Sequence, residues 1–292
     1  MKVKNLFLAA ATLLLLHTSC SKSDTGGGGT TPAAEKSMTN VSYGTDAQQK
    51  MDIFLPANRT TATTKVMILI HGGGWTSGDK TDFTVYMDTL KKRIPDYAIF
   101  NINYRLATAF PTPANAFPTQ EVDVKAAVEY IYNNRASYFI SDKFVLMGAS
   151  AGGHLSLLQA YKYTSPVKVK AVVDFFGPTN MVTMFSDNPP TQPALTALLS
   201  GTPSTNPTMY FQSSPLNYVV ATSCPTIILQ GTADPLVNAN TQSVALRDKL
   251  TLAGVVNQYV PYVGLGHGDT WSVATYTDAF NKIGVFLAAN VQ

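Results

Sequence analysis

A serine set among small residues is the first place in this chain where chemistry could occur. Gly148-Ala149-Ser150-Ala151-Gly152 follows the apolar run Phe144-Val145-Leu146-Met147 and leads into residues with helical spacing. The pattern G-x-S-x-G between a strand and a helix marks a tight turn that exposes a nucleophilic hydroxyl. Small residues at 148 and 152 let the backbone fold that sharply, and the helix N-terminus offers a positive dipole to a forming oxyanion. A hydroxyl attacks only when a base takes its proton. Four histidines are available. His17 stands in an apolar leader, His71 opens a glycine run, where holding the loop is its expected role, and His154 follows the serine on its helix, where local packing is expected. His267, in Gly264-Leu265-Gly266-His267-Gly268-Asp269, is therefore the expected base. Its orienting carboxylate is expected to be Asp234, in Gln230-Gly231-Thr232-Ala233-Asp234 after a late strand. Asp174, at the end of the strand after the serine, is the alternative acid, and Asp269 lies too near His267 in sequence to be the usual orienter.

A second segment complements the serine. His71-Gly72-Gly73-Gly74-Trp75 follows the apolar run Val66 to Ile70, and glycines there let peptide N–H groups face a substrate oxygen without a side chain in the way. Gly73 and Gly74 are the expected donors, joined by the N–H of Ala151. The sequence leaves open which glycine points inward. Trp75 and Tyr104 are expected to shape the substrate pocket. No G-x-x-x-x-G-K-[ST] pattern or third dinucleotide-type glycine follows the run, the histidines are scattered and no H-E-x-x-H is present. Neither a cofactor nor a metal is expected.

These residues need a scaffold that brings strand ends together. Short apolar runs read as strands at Met51–Leu55, Val66–Ile70, Ala98–Asn103, Lys143–Met147, Ala171–Phe175, Thr226–Gln230 and Gln258–Val263, and Val66–Ile70 and Phe144–Met147 are apolar at nearly every position, as strands covered on both faces are. Helical stretches are read at Thr119–Tyr132, with Val122, Ala126 and Val128 near helical spacing, and at Ala151–Tyr163, Asn240–Ala253 and Thr275–Ala289. Alternation of this kind predicts an α/β fold with a mostly parallel central sheet and helices on both faces. The Pro-rich interval of about residues 177–215 reads as a long loop, lid-like or walling a binding site.

Composition narrows the class. Of 292 residues, 45% are hydrophobic and 13% charged, and the net charge is +3, which suits a globular enzyme and excludes a nucleic-acid-binding surface. Lys2 and Lys4 before Leu6–Leu16 read as a signal peptide over residues 1–19, too short to span a membrane. Its end, His17-Thr18-Ser19-Cys20, resembles a bacterial lipoprotein signal, which implies Cys20 as the lipidation site. Residues 20–37, with Gly26 to Gly29, read as a flexible tether, and 38–292 as the catalytic domain. Cys224, the second of two cysteines, is expected to be a buried small hydrophobe.

From about Val41 onward the chain resembles the α/β-hydrolase esterases related to hormone-sensitive lipase, the acetyl esterases and the bacterial feruloyl and acetyl-xylan esterases. The resemblance rests on Met51-Asp52-Ile53-Phe54-Leu55-Pro56, His71 to Trp75, Asn103-Tyr104-Arg105-Leu106, Gly148 to Leu155, Asp234 to Val237 and His267-Gly268. Ala107-Thr108-Ala109-Phe110 departs from it, because acetyl esterases usually have Pro-Glu there. The resemblance implies the chain order Ser150, Asp234, His267 of a triad, an acyl-enzyme, and short-chain or aromatic acyl esters of carbohydrate as substrates. A lipase, an arylformamidase-like hydrolase and a non-catalytic surface lipoprotein are the alternatives. The export signal implies a lipoprotein held by Cys20 on the periplasmic or cell-surface side of a bacterial membrane. The oligomeric state is left open.

Overall fold

Two runs explain why a sheet forms in the middle of the chain. Along Lys65–Ile70, Val66, Ile68 and Ile70 share one core with Phe144, Leu146, Val124 and Leu158, whereas Met67 and Leu69 join Val145, Met147, Leu90 and Ile283 in another. Successive side chains of a strand point to opposite faces, so a run apolar at every position is covered on both. Each such Leu, Ile or Val contributes roughly 1.5–3 kcal/mol by leaving water.

The computed structural model describes residues 33–109 and 112–292. The expected signal peptide, Cys20 and all but the end of the expected tether lie outside the described residues. The strands are β1 (Lys36–Ser42), β2 (Lys50–Leu55), β3 (Lys65–Ile70), β4 (Tyr97–Ile102), β5 (Phe144–Ala149), β6 (Ala171–Phe175), β7 (Thr226–Gly231) and β8 (Asn257–Tyr262). The helices are α1 (Met87–Arg93), α2 (Thr119–Asn133), α3 (Arg135–Tyr138), α4 (Ala151–Lys162), α5 (Met181–Asp187), α6 (Gln192–Leu198), α7 (Pro207–Gln212), α8 (Ala245–Leu252) and α9 (Val273–Asn290). Among the described residues they surround an eight-stranded sheet of order β1-β2-β4-β3-β5-β6-β7-β8, antiparallel across β1, β2 and β4 and parallel from β4 onward. Residues of α2 and α4 pack in the first core, and those of α1 and α9 in the second. The C-terminal ends of β3, β5, β6, β7 and β8 therefore open on one edge, where ligands bind in open α/β sheets.

Four elements differ from the sequence reading. β1 begins at Lys36, inside the expected tether, because its residues pair with β2 while most of their side chains stay exposed and carry no apolar signal. A 3-10 turn at Lys80–Tyr86 and α1 fill a stretch the periodicity left unassigned. The buried side of α2 runs through Val124, Ala127, Val128 and Ile131, and Val122 is exposed. The interval 177–215 is not a loop. It folds into α5, α6, α7 and 3-10 turns at Pro189–Thr191 and Pro215–Tyr218. Its prolines misled the reading: Pro189, Pro193, Pro207 and Pro215 sit in first turns, where a missing N–H costs no helical hydrogen bond.

Candidate active site

The turn from β5 to α4 puts Ser150 at φ 55°, ψ −120°. Such a backbone costs a non-glycine residue about 1–3 kcal/mol and persists only where the surroundings over-determine it. Here the Ser150 N–H donates to Phe175 O at 2.8 Å, and Ser150 O accepts from His154 N at 3.0 Å. The flanking glycines are needed for closeness: a Cβ on Gly148 would lie 2.2 Å from Gly152 backbone, and one on Gly152 would lie 1.9 Å from Ile70 O.

Ser150, His267 and Asp234 form one hydrogen-bonded line. His267 Nε2 is 2.8 Å from Ser150 Oγ, and His267 Nδ1 is 2.7 Å from Asp234 Oδ2. A carboxylate only accepts, so Nδ1 carries the proton and Nε2 turns its lone pair to the serine hydroxyl. The Asp234 side chain is wholly buried and the His267 ring is 14% exposed. Burial alone would raise the Asp234 carboxyl. The hydrogen bond from His267 and, whenever the ring is protonated, its charge, with the N–H groups of Val237 and Leu236 on Oδ1, hold it below its ordinary value. Two further residues, which the sequence reading missed, complete the setting. Gln230, at the end of β7, donates to Asp234 Oδ2 at 3.0 Å while its Oε1 accepts from Ser243 at 2.7 Å. Phe176, just past β6, packs its ring 4.5 Å from that of His267.

The alternative acid is elsewhere. Asp174 is fully buried on β6, accepts Gly177 N–H at 3.0 Å on Oδ1, and has no partner on Oδ2 among the described residues. Burial pushes its pKa up to about 7, opposed by the Gly177 N–H. Asp269 likewise makes no hydrogen bond to His267 among the described residues; Asp234 occupies that place.

The glycine segment forms a cradle beside the serine. Gly73, Gly74 and Trp75 have φ of 98°, 58° and 63°. The Gly73 carbonyl accepts from the N–H groups of Thr76 and Ser77, which closes a turn and leaves Gly74 and Trp75 on the cavity side. Among the described residues, the N–H groups of Gly73, Gly74 and Ala151 have no protein acceptor. A cavity of about 130 Å³ meets Ser150 and His267, bounded by Gly74, Trp75, Pro178, Met184 and Leu195 among others. Trp75 thus lines it. Tyr104 does not: it is buried behind the segment, stacked on His71 at 4.3 Å, with its hydroxyl 3.1 and 3.2 Å from the carbonyls of His71 and Gly72. A phenol needs a partner for its O–H when buried, and the glycine-segment carbonyls supply it.

Five of the strand ends converge on this arrangement, and a family model matches the chain across most of them. The BD-FAE model matches residues 51–250. The chain belongs to the BD-FAE family. Gly73, Gly74, Ser150 and Asp234 fall within the matched span, and His267 lies beyond it. Among curated relatives of this BD-FAE chain, a probable carboxylic ester hydrolase, LipM, of Mycobacterium tuberculosis is 30% identical over 216 residues, 68% of this chain and 48% of LipM. The chain spans about half the length of the curated relatives it matches. Among solved structures, a bifunctional GH43-CE protein of Bacteroides eggerthii matches with a TM-score of 0.72 at 26% identity, over 87% of this chain and 38% of that one. A truncated form of a carbohydrate esterase from gut microbiota matches with a TM-score of 0.71 at 26% identity, over 87% of this chain and 100% of the other. The sheet and its helices are those of an α/β-hydrolase fold, related to the esterases that the sequence resembles.

Proposed function

We propose that this protein is a serine carboxylic-ester hydrolase working through an acyl-enzyme, with Ser150, His267 and Asp234 as its catalytic residues. The observation that carries the reading is the continuous line Ser150 Oγ, His267 Nε2, His267 Nδ1, Asp234 Oδ2 at 2.8 and 2.7 Å. In the first half-reaction Ser150 Oγ bonds to the ester carbonyl carbon as its proton passes to His267 Nε2. The oxyanion takes hydrogen bonds from N–H groups of Gly73, Gly74 and Ala151. Collapse breaks the bond to the alcohol oxygen, which leaves with the proton from His267, and Asp234 stabilises the imidazolium meanwhile. Water then adds to the acyl-enzyme by the same route, releasing the acid and restoring Ser150.

The substrates we infer are short-chain or aromatic acyl esters of carbohydrate. The likeness to a carbohydrate esterase along that structure's whole length supports this class, and so does a cavity walled mainly by apolar residues at the serine. Acetate and ferulate release from acetylated and feruloylated xylan, beside p-nitrophenyl esters of increasing chain length and N-formylkynurenine, tests it. Activity should favour short or aromatic acyl esters and vanish in Ser150→Ala. Equal rates for wild type and Ser150→Ala on every substrate would sink the mechanism; a preference for long acyl chains or the formamide would sink the substrate class. The sequence from Leu16 to Cys20 supports a lipid anchor on Cys20, for which incorporation of labelled palmitate, lost in Cys20→Ala, is the check.

A further inference from the structure

His154, on the first turn of α4, takes no part in the proton transfer, yet it is fully buried and both ring nitrogens are engaged. Nε2 lies 2.7 Å from the carbonyl oxygen of Ser213, and Nδ1 lies 3.2 Å from Trp75 Nε1. A carbonyl only accepts and an indole N–H only donates, so the ring is neutral, with its proton on Nε2 and its lone pair on Nδ1. Burial, which lowers its pKa to about 4, keeps that form in place at neutral pH.

Trp75 is the residue this bond holds. Its φ of 63° lies in the left-handed region, which a bulky side chain adopts only under constraint. The constraints are visible: the indole N–H on His154, an edge-on ring contact with His154 at 5.1 Å, and the Trp75 carbonyl accepting from Ala107 N at 2.9 Å. Trp75 directly follows Gly74 at the cavity rim, so a turned indole shifts Gly74 and with it the adjoining Gly73–Gly74 peptide, which carries the Gly74 N–H. On its other side His154 grips Ser213, whose neighbour Ser214 accepts Met181 N–H at 2.9 Å on Oγ. Met181 begins α5, which supplies Met184 to the cavity wall.

We propose that His154 is a positioning residue: its Nε2–H form sets the Trp75 indole, and through it the neighbouring Gly74 and its N–H, and couples the glycine segment to the helical insert. Its catalytic consequence rests on the ester-hydrolase reading; the coupling itself does not. The test uses the full chain with His154→Leu, His154→Gln, Trp75→Phe and the double variant His154→Leu/Trp75→Phe, on p-nitrophenyl acetate. His154→Leu should lower kcat about 100-fold, the scale of a displaced oxyanion donor, with KM within about twofold. His154→Gln, whose amide can both accept from Trp75 and donate to Ser213, should recover kcat to within about tenfold of wild type. The double variant should be no worse than the worse single one, because both remove the same bond. Wild-type kcat in folded His154→Leu, a loss borne by KM, or additive losses would overturn the proposal. If His154→Leu does not fold, His154→Gln decides: in the Trp75→Phe background it should change kcat by less than about twofold, and a larger further loss would count against the coupling. Thermal unfolding of the same set, each carrying Ser150→Ala, reads the coupling without turnover. Non-additive Tm shifts are expected there, and additive ones would overturn the coupling even if no ester proves to be a substrate.

Discussion

Asp234→Asn tests the chain of protons at its least visible point. Asp234 has four acceptor positions in use: Oδ1 takes the N–H groups of Leu236 at 2.8 Å and Val237 at 2.9 Å, and Oδ2 takes His267 Nδ1–H and Gln230 Nε2–H. An asparagine has one oxygen for these two places. If the oxygen goes to the histidine, the amide N–H group faces two fixed backbone donors, and each buried donor left unpaired costs about 1–3 kcal/mol. If it stays with the backbone, the amide nitrogen faces His267 and Gln230, whose side chains can turn. The second arrangement wins. His267 then accepts at Nδ1, carries its proton on Nε2, and presents a donor where Ser150 needs a base. The expected loss is about 10³–10⁴-fold in kcat, or roughly 4–5.5 kcal/mol of barrier, with KM changed by no more than about threefold. Steady-state kinetics on p-nitrophenyl acetate, with circular dichroism to confirm folding, measures it. Asp234→Ala imposes no wrong tautomer but leaves the two backbone N–H groups unpaired. It should therefore lose more thermal stability than Asp234→Asn and no more kcat. A folded Asp234→Asn enzyme with more than a tenth of wild-type kcat would refute the reasoning.

Gly152→Ala should fail to fold or lose well over 10 °C in Tm, since its Cβ would fall 1.9 Å from Ile70 O. Gly74→Ala, whose nearest neighbour is Thr76 Oγ1 at 4.0 Å, should lose only the few degrees that an L-residue at φ 58° costs; scanning calorimetry of both separates contact from strain. Asp174, with a carboxyl raised to about 7, binds a proton in the folded chain that the unfolded chain has released above about pH 4. Its contribution to stability is thus present at low pH and lost as pH rises to 7, and Asp174→Asn, which retains the acceptor for Gly177 N–H, should flatten that part of the Tm–pH curve. An unchanged curve would mean the carboxyl is ionised throughout. Leu195→Ala, at a buried wall of the cavity, should cost about 2–5 kcal/mol in stability and raise kcat/KM for butyrate and hexanoate esters relative to acetate. An unaltered acyl-length profile in the folded variant would remove Leu195 from the acyl site.

Where the chemistry depends on a local backbone device, the sequence could be read directly. Ser150 must sit on a turn too tight for a side chain at 148 or 152, so its neighbours announce it. His267 emerged by elimination, because a base must titrate and the other histidines had structural settings. The parallel sheet was legible because β3 and β5, apolar at nearly every position, have only one environment that suits them. Exposed β1 carries no such pattern. The Pro-rich interval erred for the opposite reason: proline is a breaker in a helix interior and a good beginning in a first turn, and spacing alone does not tell the two apart.

Residues that act through another residue were the ones missed or misplaced. Tyr104 and Trp75 both looked like pocket aromatics, and only the fold turns one away and the other inward. Gln230 is an ordinary strand residue until β7 brings it to Asp234. His154 meets Trp75 and Ser213, 79 and 59 residues away in the chain, so the residues around it in sequence do not reveal what it contacts. Removing Ser150, His267 or Asp234 strikes groups in the proton path and should act on kcat whatever the substrate. Removing His154 displaces an oxyanion donor and should also lower kcat for every ester, whereas removing a wall residue of the insert changes where the acyl group sits, and its cost should depend on how closely the substrate fills the cavity. A substrate series measured across both sets of variants would therefore separate the machinery that breaks the ester from the contacts that choose it.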